Sequence, residues 1–457
     1  MIKHPGVVAL FAPLLALAVA AEESKSKLPE EPIPLQTVPS RPKPLLELGE
    51  PFLGSGTLAK GFTLKTGATW QPSFLLWGRM RSALFVVEDR EESNTSEWGN
   101  RLDVFAQLSL TSTERVVFSV RPLDESSEFT GYVFSPDDAH GGQTMFDSTI
   151  DTFYFEGDLS ELFPNLDPTD SKALDFGFSV GRQPLFFQDG MLIADSIDSV
   201  GVVRNALYVP GFNSFRITGL FGWGNVNRGG NNTIDPGARV VGIFTEGDTS
   251  VYTIAADLVY VRSDATRGDG VFAGLSAVRR FGGRVNATLR GLASRALGDE
   301  TPYISSGGSG VLLTSELSLT PHATRDIAYF NAFASLGSYT PAARAARLGG
   351  PLGRMGILFE GSGIGAYGAV LSNRSEDVWG LVGGYQKFFN AERGQIIFEI
   401  GSRAETRDGD VEPQVAFGTR FQHAMGRRLV VRLEGFAVGR ESSKPRYGAR
   451  TEIMLAF

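Results

Sequence analysis

One short stretch of this chain gathers charged side chains: VGRQPLFFQDGMLIADSIDSVGVVRN, from Val180 to Asn205. Arg182 and Gln183 stand near its head, Asp189, Asp195 and Asp198 follow, and Arg204 comes near its end. Guanidinium and carboxylate groups at this density form charge-assisted hydrogen bonds, which pin a segment in place or receive a charged solute. Covalent and metal chemistry have little to build on. The chain has no cysteine, which excludes thiol catalysis and disulfides and removes the usual ligands of structural zinc. Its four histidines, His4, His140, His322 and His423, are scattered and show no metal-ligand spacing. No serine and histidine recur at a spacing that pairs a nucleophile with its base, so an enzyme is the least favoured reading. No cofactor and no metal are expected. GWGNVNRGG and GGSG are glycine-rich, but neither opens a helix, so they read as loops rather than phosphate cradles. Nucleic acid is not an expected partner.

A second charged pattern runs through the rest of the chain. After Lys65 only Lys172, Lys387 and Lys444 remain, so arginine carries the positive charge. Alternation places Arg284, Arg290, Arg403, Arg407, Arg420, Arg432, Arg440 and Arg450 on polar faces, together with Arg79, Arg81, Arg101 and Arg446. Two readings stay open. Rows of guanidinium groups suit carboxylate or phosphate and would favour anions in a pore. The same groups can instead brace a wall by pairing with Asp103, Asp257, Glu399, Glu405, Glu434 and Glu452. The formal net charge of −8 does not decide between them, because much of the acid lies in stretches such as EDREESNTSEWGN and in the N-terminal segment.

The elements that must position these groups are strands. RLDVFAQLSL, RVNATLRGLASR, QIIFEIGSRAE, RLVVRLEGFAVGR and ARTEIMLAF alternate apolar and polar residues. Each therefore has one oily and one polar side, and runs of about ten residues suit a tilted strand crossing a bilayer. A backbone left unpaired in hydrocarbon is costly, so such a sheet must close. The expected fold is all-β: a transmembrane antiparallel barrel of about 18 strands, within a range of roughly 16 to 20. Short connectors, such as 281–283, 390–394 and 424–427, alternate with long ones, such as 123–148, 183–198 and 338–353. The short ones are expected at the periplasmic end and the long ones, folded inward in part, at the extracellular end. A short connector at 361–363 implies strand around 354–372, and the long periplasmic segment 156–173 contains EGDLSELF, a candidate short helix. Phe457, an aromatic residue ending the last strand, resembles the assembly signal of bacterial outer-membrane barrels.

The N-terminus reads as an export signal over residues 1–20: Lys3 and His4, an apolar core, then Ala18-Val19-Ala20 as a small-residue cleavage site. Residues 21–60 are rich in proline and read as an extended, largely disordered periplasmic segment, leaving 61–457 for the barrel.

Gly181-Arg182-Gln183 at a strand end, followed by an acid-containing loop from Asp189 to Asp198 and then another strand, is similar to the alginate-export porin family of outer-membrane barrels. The resemblance implies an eighteen-stranded monomer with an arginine-rich lumen that passes an anionic polysaccharide. It places Arg182 and Gln183 in the motif and Arg204 in its support. The expected function is a porin or export channel for anionic solutes, small molecules or a polyuronate-type polysaccharide. A non-selective channel and a structural barrel stand as the alternatives. Outer-membrane lipid and the barrel assembly machinery are the other expected partners, and a monomer is expected, with a trimer left open.

Overall fold

Alternation in the sequence becomes an inside and an outside in the computed structural model. It describes residues 43–49, 60–89, 94–125, 128–169, 171–228, 233–263, 268–297, 309–406 and 412–457. The residues read as an export signal, most of the proline-rich segment and Arg407 lie outside the described residues. In the last strand Arg450 and Glu452 are buried toward the lumen, while Ile453 and Leu455 are exposed on the outer wall. Leu258, Leu275 and Ile400 face outward on other strands in the same way. The outer wall is thus an apolar belt made of alternate residues.

Eighteen strands form the wall. They are β1 (Ser73–Asp89), β2 (Thr95–Ser109), β3 (Arg115–Val120), β4 (Ile150–Asp158), β5 (Gly177–Phe187) and β6 (Ile193–Arg204). There follow β7 (Ser214–Gly224), β8 (Arg239–Asp248), β9 (Tyr252–Arg262), β10 (Asp269–Phe281), β11 (Val285–Leu297) and β12 (Ser309–Leu319). The last six are β13 (Ile327–Gly337), β14 (Val378–Phe389), β15 (Gly394–Glu405), β16 (Gln414–Met425), β17 (Leu429–Arg440) and β18 (Arg446–Ala456). Each pairs antiparallel with the next, and β18 pairs with β1 from Arg446↔Asp89 to Ala456↔Arg79, so the ring closes. β3 is short, and a hairpin strand, Glu128–Ser135, takes its place against the upper part of β2. A closed barrel with an apolar belt is the form in which β-structure crosses the bacterial outer membrane.

The short connectors share one end, as at 249–251, 282–284 and 426–428. The longer segment at that end does contain a helix, α1 (Leu159–Leu162), whose first turn is capped by Asp158 accepting from the Ser160 N–H at 2.9 Å. Phe457 lies at this end too, exchanging backbone hydrogen bonds with Gly78 at 2.8 and 3.0 Å. Below it, where β18 has ended, Leu46–Leu48 pairs with Phe74–Leu76 of β1.

Residues 354–372 do not form wall strands, and 361–363 is not a periplasmic turn. The whole segment 338–377 is a loop from the opposite end that folds into the lumen. It holds eight glycines between Gly349 and Gly368 and no steady polar face, so it suits burial better than a lumen wall. The connector expected at 183–198 is likewise mostly strand: β5 and β6 run on to a tight tip at 188–192. Met191, Leu192 and Ile193 of that tip pack with Tyr339, Leu352, Met355, Leu358 and Phe359 of the loop in one apolar cluster. The lumen is therefore partly filled.

Candidate lumen constriction

The β5–β6 hairpin stays in the wall only as far as Arg182 and Asp198. Pairing of β4 with β5 stops at Phe153↔Arg182, and pairing of β6 with β7 stops at Asp198↔Gly224. Beyond that point the two strands pair with each other and turn inward. Gly181 sits at the departure with φ +124°, where a Cβ would run into the backbone of Phe153. Arg182 then clamps the hinge, donating to Asp198 through Nε at 2.7 Å and Nη2 at 3.0 Å, and to the Ile150 carbonyl at 3.0 Å. Gln183, which is buried, donates to Ser199 Oγ at 2.9 Å. These contacts give Gly181-Arg182-Gln183 a local physical role: the sequence turns a wall hairpin into the lumen.

The tip is fixed across the barrel. Gln188 and Asp189 adopt the left-handed conformation, and Gln188 donates to Asp257 of β9 at 2.9 Å. Asp189 pairs with Arg290 of β11, which also reaches Glu316 of β12 at 2.8 Å, and with Arg354 of the loop at 3.5 Å. Ile193 and Ala194 pair in parallel with Ala343 and Arg344. Arg344 spends its guanidinium on the carbonyls of Gly190 at 2.6 Å, Gly349 at 2.7 Å and Leu348 at 3.1 Å. Asp195 accepts from the Asn227 backbone at 2.7 Å and from its side chain at 2.8 Å.

Most of the arginine row is spent on bracing. Arg450 pairs with Glu452 at 2.5 Å and Glu434 at 3.0 Å; Arg420 pairs with Glu434 at 2.5 Å and with Glu360 of the loop at 2.7 Å. Arg432 holds Gln422 at 3.1 Å and lies 3.6 Å from Glu452. Arg440 pairs with Asp89, with one contact at 3.1 Å. Arg403 donates to the Ser372 and Arg374 carbonyls at 2.9 and 2.8 Å, while Arg81 and Arg101 hold those of Ser362 and Gly363 at 3.0 Å. Glu97 and Glu399 complete the dock by accepting backbone N–H groups of Ala366, Ile357 and Leu358 at 2.8–3.0 Å. The wall arginines thus form a cradle for the loop.

Two expected positions are corrected. Arg284 lies exposed in the short turn between β10 and β11, because its strand starts one residue later. Arg204 does not support Arg182. It sits at the opposite end of β6, six residues from Asp198 and so about 20 Å away along the strand, where it donates to the Lys172 carbonyl at 2.8 Å.

The space left beside the hairpin on the long-loop side is a cavity of about 500 Å³. Arg121, Arg182 and Arg347 line it, as do Asp124, Asp147, Asp151 and Asp195. Arg347, in the loop, lies 3.9 Å from Asp151 and makes no hydrogen bond among the described residues. Burial lowers its pKa, and the neighbouring positive charge of Arg121 lowers it further. Burial raises the pKa of Asp124, partly offset by Arg121. On the short-turn side of the tip, cavities of about 380 and 260 Å³ lie against the wall. Arg121, Arg347 and Asp151 carry no periodic signal that marks them in the sequence; Arg347 sits in an irregular loop.

No family model matches this chain, and no curated protein does. Solved structures do. A BenF-like porin from Pseudomonas fluorescens Pf-5 superposes with a TM-score of 0.55 at 10% sequence identity, covering 84% of this chain and 98% of that one. OccK9 (OpdG) of Pseudomonas aeruginosa gives a TM-score of 0.55 at 12% identity, with the same 84% and 98% covered. OpdK of Pseudomonas aeruginosa, solved with vanillate, gives 0.52 at 11% identity, again over 84% and 98%. At such identities the likeness carries the fold, that of bacterial outer-membrane porins. None of the three is an alginate-export porin, so they support the barrel implied by that resemblance and not its polysaccharide.

Proposed function

We propose that this chain is an outer-membrane porin that passes small carboxylate-bearing solutes past the inturned hairpin. One observation carries the reading: Arg347 presents a guanidinium with unspent donors to a cavity of about 500 Å³. Guanidinium matches carboxylate geometry and stays charged at working pH. The likeness to OpdK, whose structure contains vanillate, supports the same solute class. A polyuronate chain fits less well, because hairpin and loop both cross the lumen and the remaining spaces measure hundreds of Å³. The barrel acts as a channel rather than an enzyme, embedded in outer-membrane lipid, inserted by the barrel assembly machinery and working as a monomer.

Single-channel recording in planar bilayers under a salt gradient tests this. The reversal potential is expected to show anion preference, and Arg347→Gln to move it toward zero. A cation-selective barrel, or Arg347→Gln with unchanged reversal potential, would refute the assignment.

A further inference from the structure

The charges lining the cavity beside the hairpin are not all satisfied by one another. Arg182 is spent on Asp198 by two bonds at 2.7 and 3.0 Å. Arg121 is spent on Asp151 and faces Asp124 at 3.7 Å. That leaves Arg347, whose nearest carboxylate is Asp151 at 3.9 Å. It also leaves two acids. Asp195 takes hydrogen bonds only from the neutral groups of Ser196 and Asn227, at 2.7–2.9 Å, and among the described residues has no cation within ion-pair distance. Asp147 is held by the Thr149 N–H at 2.7 Å and likewise has no ion-pair partner there. The cavity thus offers a guanidinium whose one ion pair is the 3.9 Å contact with Asp151, and two carboxylates with no ion-pair partner among the described residues.

We propose that this cavity is a binding site for a small zwitterion, a molecule bearing a carboxylate and an ammonium group on a short carbon frame. The carboxylate sits on Arg347, and the ammonium faces Asp195 and Asp147. A plain carboxylate of the same size gains Arg347 but meets two like charges, and a plain amine gains the aspartates but meets Arg347 and Arg121; like-charge juxtaposition is how such sites reject a near relative. Ile150 and Ile234 provide apolar wall for the carbon frame. The proposal refines the carboxylate-channel reading, because the cavity lies on the path assigned to the solute. It is tested by binding, which does not need transport.

Isothermal titration calorimetry of the full chain in detergent, with 4-aminobutyrate, butyrate and n-butylamine as matched probes, decides it. The zwitterion is expected to bind at least about tenfold more tightly than either relative. Arg347→Gln is expected to remove most of that advantage over butylamine, and Asp195→Asn most of the advantage over butyrate. Asp147→Asn serves the second purpose should Asp195→Asn fail to fold, which heat-modifiable electrophoretic mobility reports. Butyrate binding as tightly as 4-aminobutyrate, or no binding by any probe, overturns the proposal. Failure of the channel reading looks different: a protein that binds the zwitterion and conducts nothing in a planar bilayer. A barrel that conducts with anion preference yet does not distinguish the three probes sinks the zwitterion site alone.

Discussion

Glu399 is the carboxylate on which the inward loop hangs, and removing it should let the loop swing. The side chain, on β15, is 1% exposed and accepts the Ile357 N–H at 3.0 Å, the Leu358 N–H at 2.8 Å and the Tyr329 hydroxyl. Two hydrogen bonds from backbone to a charged acceptor contribute about 1.5–3 kcal/mol each. Both exist only while the loop is docked, since water takes over when it leaves. The lower end of that range gives about 3 kcal/mol for the pair. Glu399→Ala also relieves the desolvation of a buried carboxylate, which offsets part of the loss. A net of about 2 kcal/mol remains, a shift of roughly thirtyfold in the ratio of docked to undocked loop. Single-channel recording reads this as dwell time in a larger-conductance state, and limited trypsin digestion reads it as faster cleavage after Arg347 or Arg354. Gly356 tests the same contact from the loop side, because a Cβ there would run into the Glu399 carboxylate. Gly356→Ala is expected to move both measurements in the same direction. If Glu399→Ala leaves open dwell time and cleavage within twofold of the parent, the carboxylate does not hold the loop.

Further outcomes follow from other contacts. Arg290→Ala removes the pairs with Asp189 and Glu316, and should destabilise the barrel by about 3 kcal/mol, the low end for losing one partner of a buried pair because both acids are partly exposed, while raising conductance as the hairpin tip loosens; urea denaturation and bilayer recording check the two effects. Arg204→Ala should leave conductance and reversal potential unchanged, since that side chain binds the Lys172 carbonyl at the short-turn end; any change in selectivity would contradict its placement. Gly78→Ala would put a Cβ 2.6 Å from the Phe457 ring and 2.8 Å from the Asp103 carbonyl, so it should slow assembly, and deleting Phe457 should do the same, measured as the heat-modifiable fraction on refolding into liposomes.

Where the sequence is legible, the reason is local periodicity. β18 alternates over its whole length, and Arg450 and Glu452 point inward because Ile453 and Leu455 must point out. The pairing of Arg182 with Asp198 is not legible in this way, because the sequence suggests a loop over 183–198; only the tight turn of the folded hairpin brings the two, equally far from Gly190, opposite each other. The loop 338–377 is illegible because what holds it is remote. Its apolar runs read as strand until Glu97, Arg81 and Arg101 arrive from the first two strands, and Glu399 and Arg403 from β15. None of those partners is near it in the chain, and glycine at Gly356 has a reason only once the Glu399 carboxylate is beside it. The same distance problem governs selectivity. Arg420 and Arg347 are the same residue type, yet Arg420 is neutralised by Glu434 and Glu360 while Arg347 keeps its donors for the cavity. A row of arginines read from alternation is therefore a poor guide to what a pore prefers. Which guanidinium keeps donors for the lumen depends on its neighbours in space, and only the folded barrel identifies it.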